Sequence, residues 1–184
     1  MTLGDDNMGK YNILIGDITS DEILKGHDLI INPSNPAMLC GSGVCGAIFK
    51  KAGVNELEKY TQKAFGINYF SENINRDNMM KVGDVRITPG FNLGMDIMFV
   101  QGVKKWDAEN PLEALKNVYL NVFKELENNK YKNILLPSIS TGVYGYGHSE
   151  VGKMLSDLIK DFVKDKDINI DLVLYREVDK EFYI

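Results

Sequence analysis

An α/β sandwich, with helices on both faces of a mostly parallel or mixed sheet, is predicted by three observations. Apolar runs of strand length alternate with amphipathic helical stretches from Tyr11 onward. Two of those runs, Leu29-Ile30-Ile31 and Ile134-Leu135-Leu136, are apolar without alternation, the pattern of strands covered on both faces. Each passes straight into a glycine-bearing loop, and open α/β sheets place ligands beyond the carboxyl ends of their strands.

Residues 1–10 are polar and glycine-bearing without a period and read as a disordered lead-in, which leaves 11–184 as one domain, long enough to bury a full core. Tyr11–Ile15 is the first strand, ended by Gly16-Asp17. Thr19 with Glu22 three residues later fits a capping box, which predicts a short helix to about Lys25, stopped by Gly26. Asp28–Asn32 is the second strand. Val44, Ala47, Ile48 and Ala52 recur at helical spacing up to Gly53, and Asn55 stands where it would cap a further helix to about Phe65. Gly66–Met80, rich in Asn and without a period, predicts a long mobile loop. Lys81–Thr88 and Asp96–Gln101 are strands separated by the turn at Pro89-Gly90. Asn110-Pro111 predicts a helix start, with Asn as cap and Pro in the first turn, followed by the stripe Leu112, Leu115, Val118, Tyr119, Val122, Phe123 and Leu126. Lys132–Pro137 is strand, Ser149–Lys164 helix, and the last strand runs from about Ile168 to Tyr175.

The two loops carry the chemistry. In Ile31–Ala47, INPSNPAMLCGSGVCGA, Gly41, Ser42 and Gly43 leave the backbone nearly bare just before a helix begins, so amides and helix dipole converge as an anion cradle. In Pro137–Gly147, PSISTGVYGYG, the residues Ser138, Ser140, Thr141 and Gly142 offer hydroxyls and amides after another strand end. Two cradles in one domain predict a ligand with more than one phosphate.

Composition narrows the partners. The chain has 21 Lys plus Arg against 26 Asp plus Glu, a net charge of -5, and no basic block, so no nucleic-acid polymer is expected. A small anionic ligand held by backbone dipoles is compatible with that acidity. Cys40 and Cys45 are the only cysteines and belong to no CxxC or Cys/His cluster, so neither a disulfide framework nor a metal site is expected, and no cofactor is implied. The N-terminus lacks an apolar signal core and no stretch approaches the length of a membrane span; the expectation is a cytoplasmic protein without a membrane partner.

GDITSDEIL, INPSNPAMLCGSGVCGAIFKKAG and ILLPSISTGVYGYG resemble, in order and separation, the three ADP-ribose-binding signatures of macro domains. The resemblance covers about Tyr11 to Phe182. It implies a three-layer α/β/α fold with a mixed sheet of about six strands, and a cleft for ADP-ribose or an ADP-ribosylated protein. Carried over by position, Asp17 would accept the adenine exocyclic amine and Ile18 would contact the ring and offer its amide; otherwise Asp17 only starts a helix. Tyr175 would stack on adenine or pack the sheet edge. Asn35 would position the distal ribose and is the implied catalytic residue. Gly41, Ser42, Gly43, Val44 and Cys45 would wrap that ribose and one phosphate. Ser138, Ser140, Thr141, Gly142, Val143 and Tyr144 would close over the diphosphate, with Tyr144 along the ribose.

The chain departs from the family most at Cys45. Relatives that remove mono-ADP-ribose often have GGGVDG, whose aspartate is proposed to help activate water; here the place reads GSGVCG. A thiol with an ordinary pKa near roughly 8.5 is a poor replacement base. Losing general-base help would cost roughly a hundredfold or more. A helix N-terminus would make the thiol reactive by lowering its pKa, whereas burial would make it a gap filler. His148, after the second loop, reads as a surface residue at a helix entrance. Three functions stay open: hydrolysis of a mono-ADP-ribosylated protein or of O-acetyl-ADP-ribose, reading of ADP-ribose without turnover, and binding of ATP or NAD by an unrelated α/β protein. The last has no GxxxxGKS or GxxxxGKT motif behind it.

Overall fold

A computed structural model of the chain describes residues 8–184. Six strands form one sheet: β1 (Tyr11–Ile15), β2 (Leu29–Ser34), β3 (Val85–Thr88), β4 (Asp96–Gln101), β5 (Asn133–Pro137) and β6 (Asn169–Leu174), in the order β1-β6-β5-β2-β4-β3. All neighbours are parallel except β3, which runs antiparallel to β4 at the edge. Five helices cover the two faces: α1 (Asp21–Leu24), α2 (Gly43–Ala52), α3 (Val54–Ala64), α4 (Pro111–Glu127) and α5 (His148–Val163). Leu29, Ile31, Ile134 and Leu136 meet α4 and α5 on one face, while Ile30, Ile97, Phe99 and Leu135 meet α1, α2 and α3 on the other. That division explains the consecutive apolar runs Leu29–Ile31, Ile97–Val100 and Ile134–Leu136.

Several boundaries differ from the sequence reading, each for a local reason. The cap of α1 is Ser20, not Thr19: the Ser20 hydroxyl accepts from Ile23 N at 3.4 Å, while the Thr19 side chain is turned back to Asp17, donating to its Oδ1 at 2.7 Å. Gly53, not Asn55, stands at the start of α3, and Asn110 occupies the cap position of α4 without a side-chain cap bond. β2 continues through Pro33 to Ser34. The β2–β5 register ends at Ile30, so β2 is locally an edge strand, where a residue lacking N–H is tolerated. The expected mobile loop over 66–80 is anchored: Ile67 and Met80 are buried, Asn75 N donates to Ile67 O at 2.8 Å, and Met80 N donates to Pro36 O at 2.8 Å.

Most of the expected lead-in, residues 1–7, lies outside the described residues. At its end the chain is already tied down: Gly9 N donates to Val163 O at 3.1 Å and Lys10 N to Asn169 Oδ1 at 2.9 Å. After β6 the chain folds back as a 3-10 turn, Glu177–Tyr183, against α5 and β1. The turn is held by Tyr183, fully buried, whose carbonyl accepts from the Tyr11 hydroxyl at 3.0 Å. Its close approach to α5 depends on Gly152, where a Cβ would overlap the Phe182 carbonyl. Gly152→Ala is therefore expected to lower the unfolding free energy by about 2 kcal/mol through overpacking. Urea denaturation measures this; an unchanged midpoint would show that the tail can shift away without cost.

Candidate functional site

β2 and β5 are neighbours, yet the chain leaves them in opposite directions, from β2 to α2 on one face and from β5 to α5 on the other. Their register pairs only Leu29 with Ile134 and Ile30 with Leu135. Beyond that point the strands part, and a cleft of about 480 Å³ opens between the two loops. This is the topological switch point at which α/β sheets bind ligands.

One wall is the first loop and the start of α2. Asn35 braces the loop, its Nδ2 donating to Leu39 O at 2.7 Å and its Oδ1 accepting from Leu39 N at 3.1 Å. An amide side chain engaged once at each end keeps one N–H and one lone pair for a ligand. Ser42 stands at the cap position of α2 but makes no side-chain cap bond, and the first turn holds no acidic residue. The first-turn amides and the positive end of the helix dipole are thus left for an anion. Cys45, 6% exposed, donates its thiol to Leu39 O at 3.7 Å. Burial pushes this thiol up, against smaller lowering by Gly41 and Asn32, so at neutral pH it is neither a base nor a reactive thiolate.

The opposite wall is the second loop. Ser140 adopts a left-handed backbone (φ 66°), uncommon for a side chain with a Cβ, and so folds the loop sharply over the cleft. Gly102, at the end of β4, makes room for it, since a Cβ there would overlap Ser140 Oγ. Thr141 Oγ1 donates to Ser138 O at 2.7 Å, and the Tyr144 hydroxyl accepts from Gln101 Nε2 at 3.0 Å. Unlike α2, α5 has an occupied N-terminus: Glu150 Oε2 accepts from Gly147 N at 2.8 Å, and Lys105 pairs with the same carboxylate. The start of α5 thus carries a carboxylate, and that of α2 carries none.

The fold brings Asn35, Gly41–Cys45, Ser138, Ser140–Tyr144 and Tyr175 together on the cleft wall, Tyr175 being 82% exposed at its rim. It does not bring Asp17 and Ile18 onto that wall. Asp17 Oδ1 accepts from Thr19 N at 2.8 Å and from its hydroxyl, which holds the carboxyl below its usual range, and Ile18 points its side chain into the core. Asp17 follows Gly16, whose N donates to Leu174 O at 2.9 Å, one residue before Tyr175.

The wall also contains residues outside the sequence expectation. His148 is not a free surface residue: its Nδ1 lies 2.7 Å from the Tyr183 hydroxyl, which is 2.7 Å from Ser138 Oγ. Its Nε2 is 3.7 Å from Asp179, a buried carboxylate held by Arg176 through bonds of 2.9 and 2.8 Å. Proximity to the second loop was a signal for His148. Nothing local marked Asp179 or Tyr183, which arrive only because the tail folds back.

A cleft at a β2/β5 switch point, closed by two glycine loops that contain neither lysine nor arginine, defines an α/β nucleotide-binding domain. The macro domain family model matches residues 31–155. The chain belongs to the macro domain family. It is 29% identical to an O-acetyl-ADP-ribose deacetylase of Enterobacter sp. (strain 638), over 95% of this chain and 91% of that protein. It is 30% identical to an O-acetyl-ADP-ribose deacetylase of Escherichia fergusonii, over 95% and 93% of the two chains. A mutant macrodomain of Oceanobacillus iheyensis, solved with ADPR, superposes with a TM-score of 0.80 at 32% identity, covering 98% of this chain and 92% of that one.

Burial lowers the pKa of His148 from its usual 6.5, outweighing the opposite pull of Asp179. The folded protein therefore favours neutral His148 more than the unfolded chain does, and the stability this contributes is present above 6.5 and lost as pH falls through the lowered value. Melting temperature should thus fall more steeply on acidification from neutrality in the wild type than in His148→Gln. Parallel slopes for the two proteins would contradict the burial of this imidazole.

Proposed function

We propose that the cleft binds ADP-ribose and that the chain hydrolyses an ADP-ribose derivative, either O-acetyl-ADP-ribose or a mono-ADP-ribosylated protein side chain. The observation that carries this reading is the uncapped start of α2 facing the left-handed Ser140 turn across a cleft between parting strands. Such an arrangement suits a diphosphate held from both sides by loop amides, the cation on the cleft wall, Arg176, being paired with Asp179. The relatives named as deacetylases and the ADPR-bound macrodomain support the choice of ligand and reaction.

In this reading Gly41–Cys45 and Ser138–Tyr144 hold the diphosphate and distal ribose, and the spare N–H and lone pair of Asn35 meet the ribose hydroxyls. Tyr144, fixed by Gln101, lies along that ribose. Tyr175 stacks on the adenine. Asp17 takes the adenine amine with Oδ2, the oxygen not engaged by Thr19, and Ile18 contributes through its backbone. For the acetyl ester, water adds to the carbonyl carbon, the ester C–O bond breaks and the ribose oxygen takes one of the water's protons, releasing ADP-ribose and acetic acid, which loses its proton to solvent as acetate. With Cys45 neutral, the rate comes from orientation of water and ester and from preorganised backbone dipoles rather than from a carboxylate base.

The buried thiol also favours a second reading, a macro domain that recognises ADP-ribose without turnover. A time course with O-acetyl-ADP-ribose and a mono-ADP-ribosylated protein in parallel, for wild type and Cys45→Asp, separates the two. The hydrolase reading expects slow but complete conversion of at least one substrate by the wild type, and acceleration by about tenfold or more in Cys45→Asp as a base is supplied. Both substrates remaining intact with excess wild-type protein that binds ADP-ribose would establish the non-catalytic reading instead.

A further inference from the structure

Beside the second loop, outside the cleft, lies an exposed apolar surface that the core does not explain. Trp106, the chain's single tryptophan, is 65% exposed, although its ring lies against Gly145, where a Cβ would come within 3.0 Å of Cζ3. Leu112 is 41% exposed, and Val143, on the adjoining cleft wall, is 78% exposed. Hydrogen bonds gather these residues. Lys105 N donates to Tyr144 O at 2.9 Å, which fixes the 3-10 turn Lys105–Asp107 on the loop, and the Tyr146 hydroxyl donates to Pro111 O at 2.7 Å, which fixes the start of α4 beside it. Neighbouring exposed apolar groups next to a binding cleft mark a contact surface more often than chance exposure. The surrounding charge is negative on balance: Asp107, Glu109 and Glu113 are exposed, Lys105 is taken by Glu150, and Lys104 and Lys116 are the cations beside them.

We infer that this surface docks the polypeptide flanking an ADP-ribosylated side chain, and that it favours flanking residues that are basic and apolar. The inference rests on the cleft reading above and narrows its substrate class toward modified protein. With Tyr144 along the distal ribose, a modified side chain leaves the cleft beside that residue, and its polypeptide crosses the outer face of the same loop. Apolar flanking groups bury Trp106 and Leu112, and basic ones meet the three carboxylates. Free ADP-ribose and its small ester end before this surface.

The test is calorimetric titration with free ADP-ribose and with a peptide carrying mono-ADP-ribose through a hydrolysis-resistant linkage, flanked by Lys, Arg and Leu. A second peptide has Asp and Glu flanks, and each ligand is run on wild type, Trp106→Ala and Leu112→Lys. The basic peptide should bind the wild type about tenfold more tightly than ADP-ribose, and the acidic peptide should gain nothing. Each substitution should remove most of the gain while leaving free ADP-ribose within about twofold. Leu112→Lys, remote from Gly145, guards against a loop disturbed by Trp106→Ala. Equal wild-type affinity for the basic peptide and ADP-ribose, or a gain that survives both substitutions, overturns the docking surface alone. Failure of the wild type to bind ADP-ribose at all overturns the cleft reading and the docking surface together.

Discussion

The structure depends on one constraint: two parallel neighbours, β2 and β5, send their chains to opposite faces of the sheet. Pairing holds through Ile30 and Leu135 and then stops, so the two strand ends must part. Everything chemical gathers in that gap. α2 starts there with unspent amides, and Ser140 folds back over it in a strained backbone made possible by Gly102. Buried polar atoms without a protein partner also collect at these strand ends, among them both amide atoms of Asn32, Gln101 Oε1 and Ser140 Oγ. Each such group costs about 1–3 kcal/mol, a cost that sites tolerate and cores do not.

The electrostatics of the cleft are uneven. Glu150 closes the start of α5, so the positive helix end available to a phosphate is that of α2. Both loops lack lysine and arginine, in keeping with an acidic chain that binds by dipole rather than by net charge. Cys45 sits within this arrangement as a buried neutral thiol that packs under the first loop. It neither disturbs the anion cradle nor supplies a base, which separates the capacity to bind from the rate of turnover.

The strands, the main helices and both loops were legible in the sequence because their signals are local: consecutive apolar runs, helical stripes and bare glycines at strand ends. Thr19 misled because Ser20, one residue closer to the helix, supplies the oxygen that accepts from Ile23 N, while the Thr19 side chain is turned back to Asp17. The segment over 66–80 looked mobile because what anchors it is distant, a bond from Met80 to Pro36 and the burial of Ile67. His148 looked like a surface residue for the same reason: its partners Tyr183 and Asp179 lie more than two helical turns of sequence beyond β6's start and reach it only through tertiary folding. Asp17 and Ile18, expected at the site from their place along the chain, are instead turned to Thr19 and into the core, off the cleft wall.

The central claim is that both loops and the open start of α2 grasp a diphosphate-bearing nucleotide. Titration of ¹⁵N-labelled protein with ADP-ribose, followed by amide chemical shifts, tests it most directly. The largest changes are expected on the amides of Gly41–Cys45 and Ser140–Tyr144, with Gly147 N, already bonded to Glu150, little affected. Changes absent from both loops, or concentrated on the opposite edge of the sheet at β3, would contradict it.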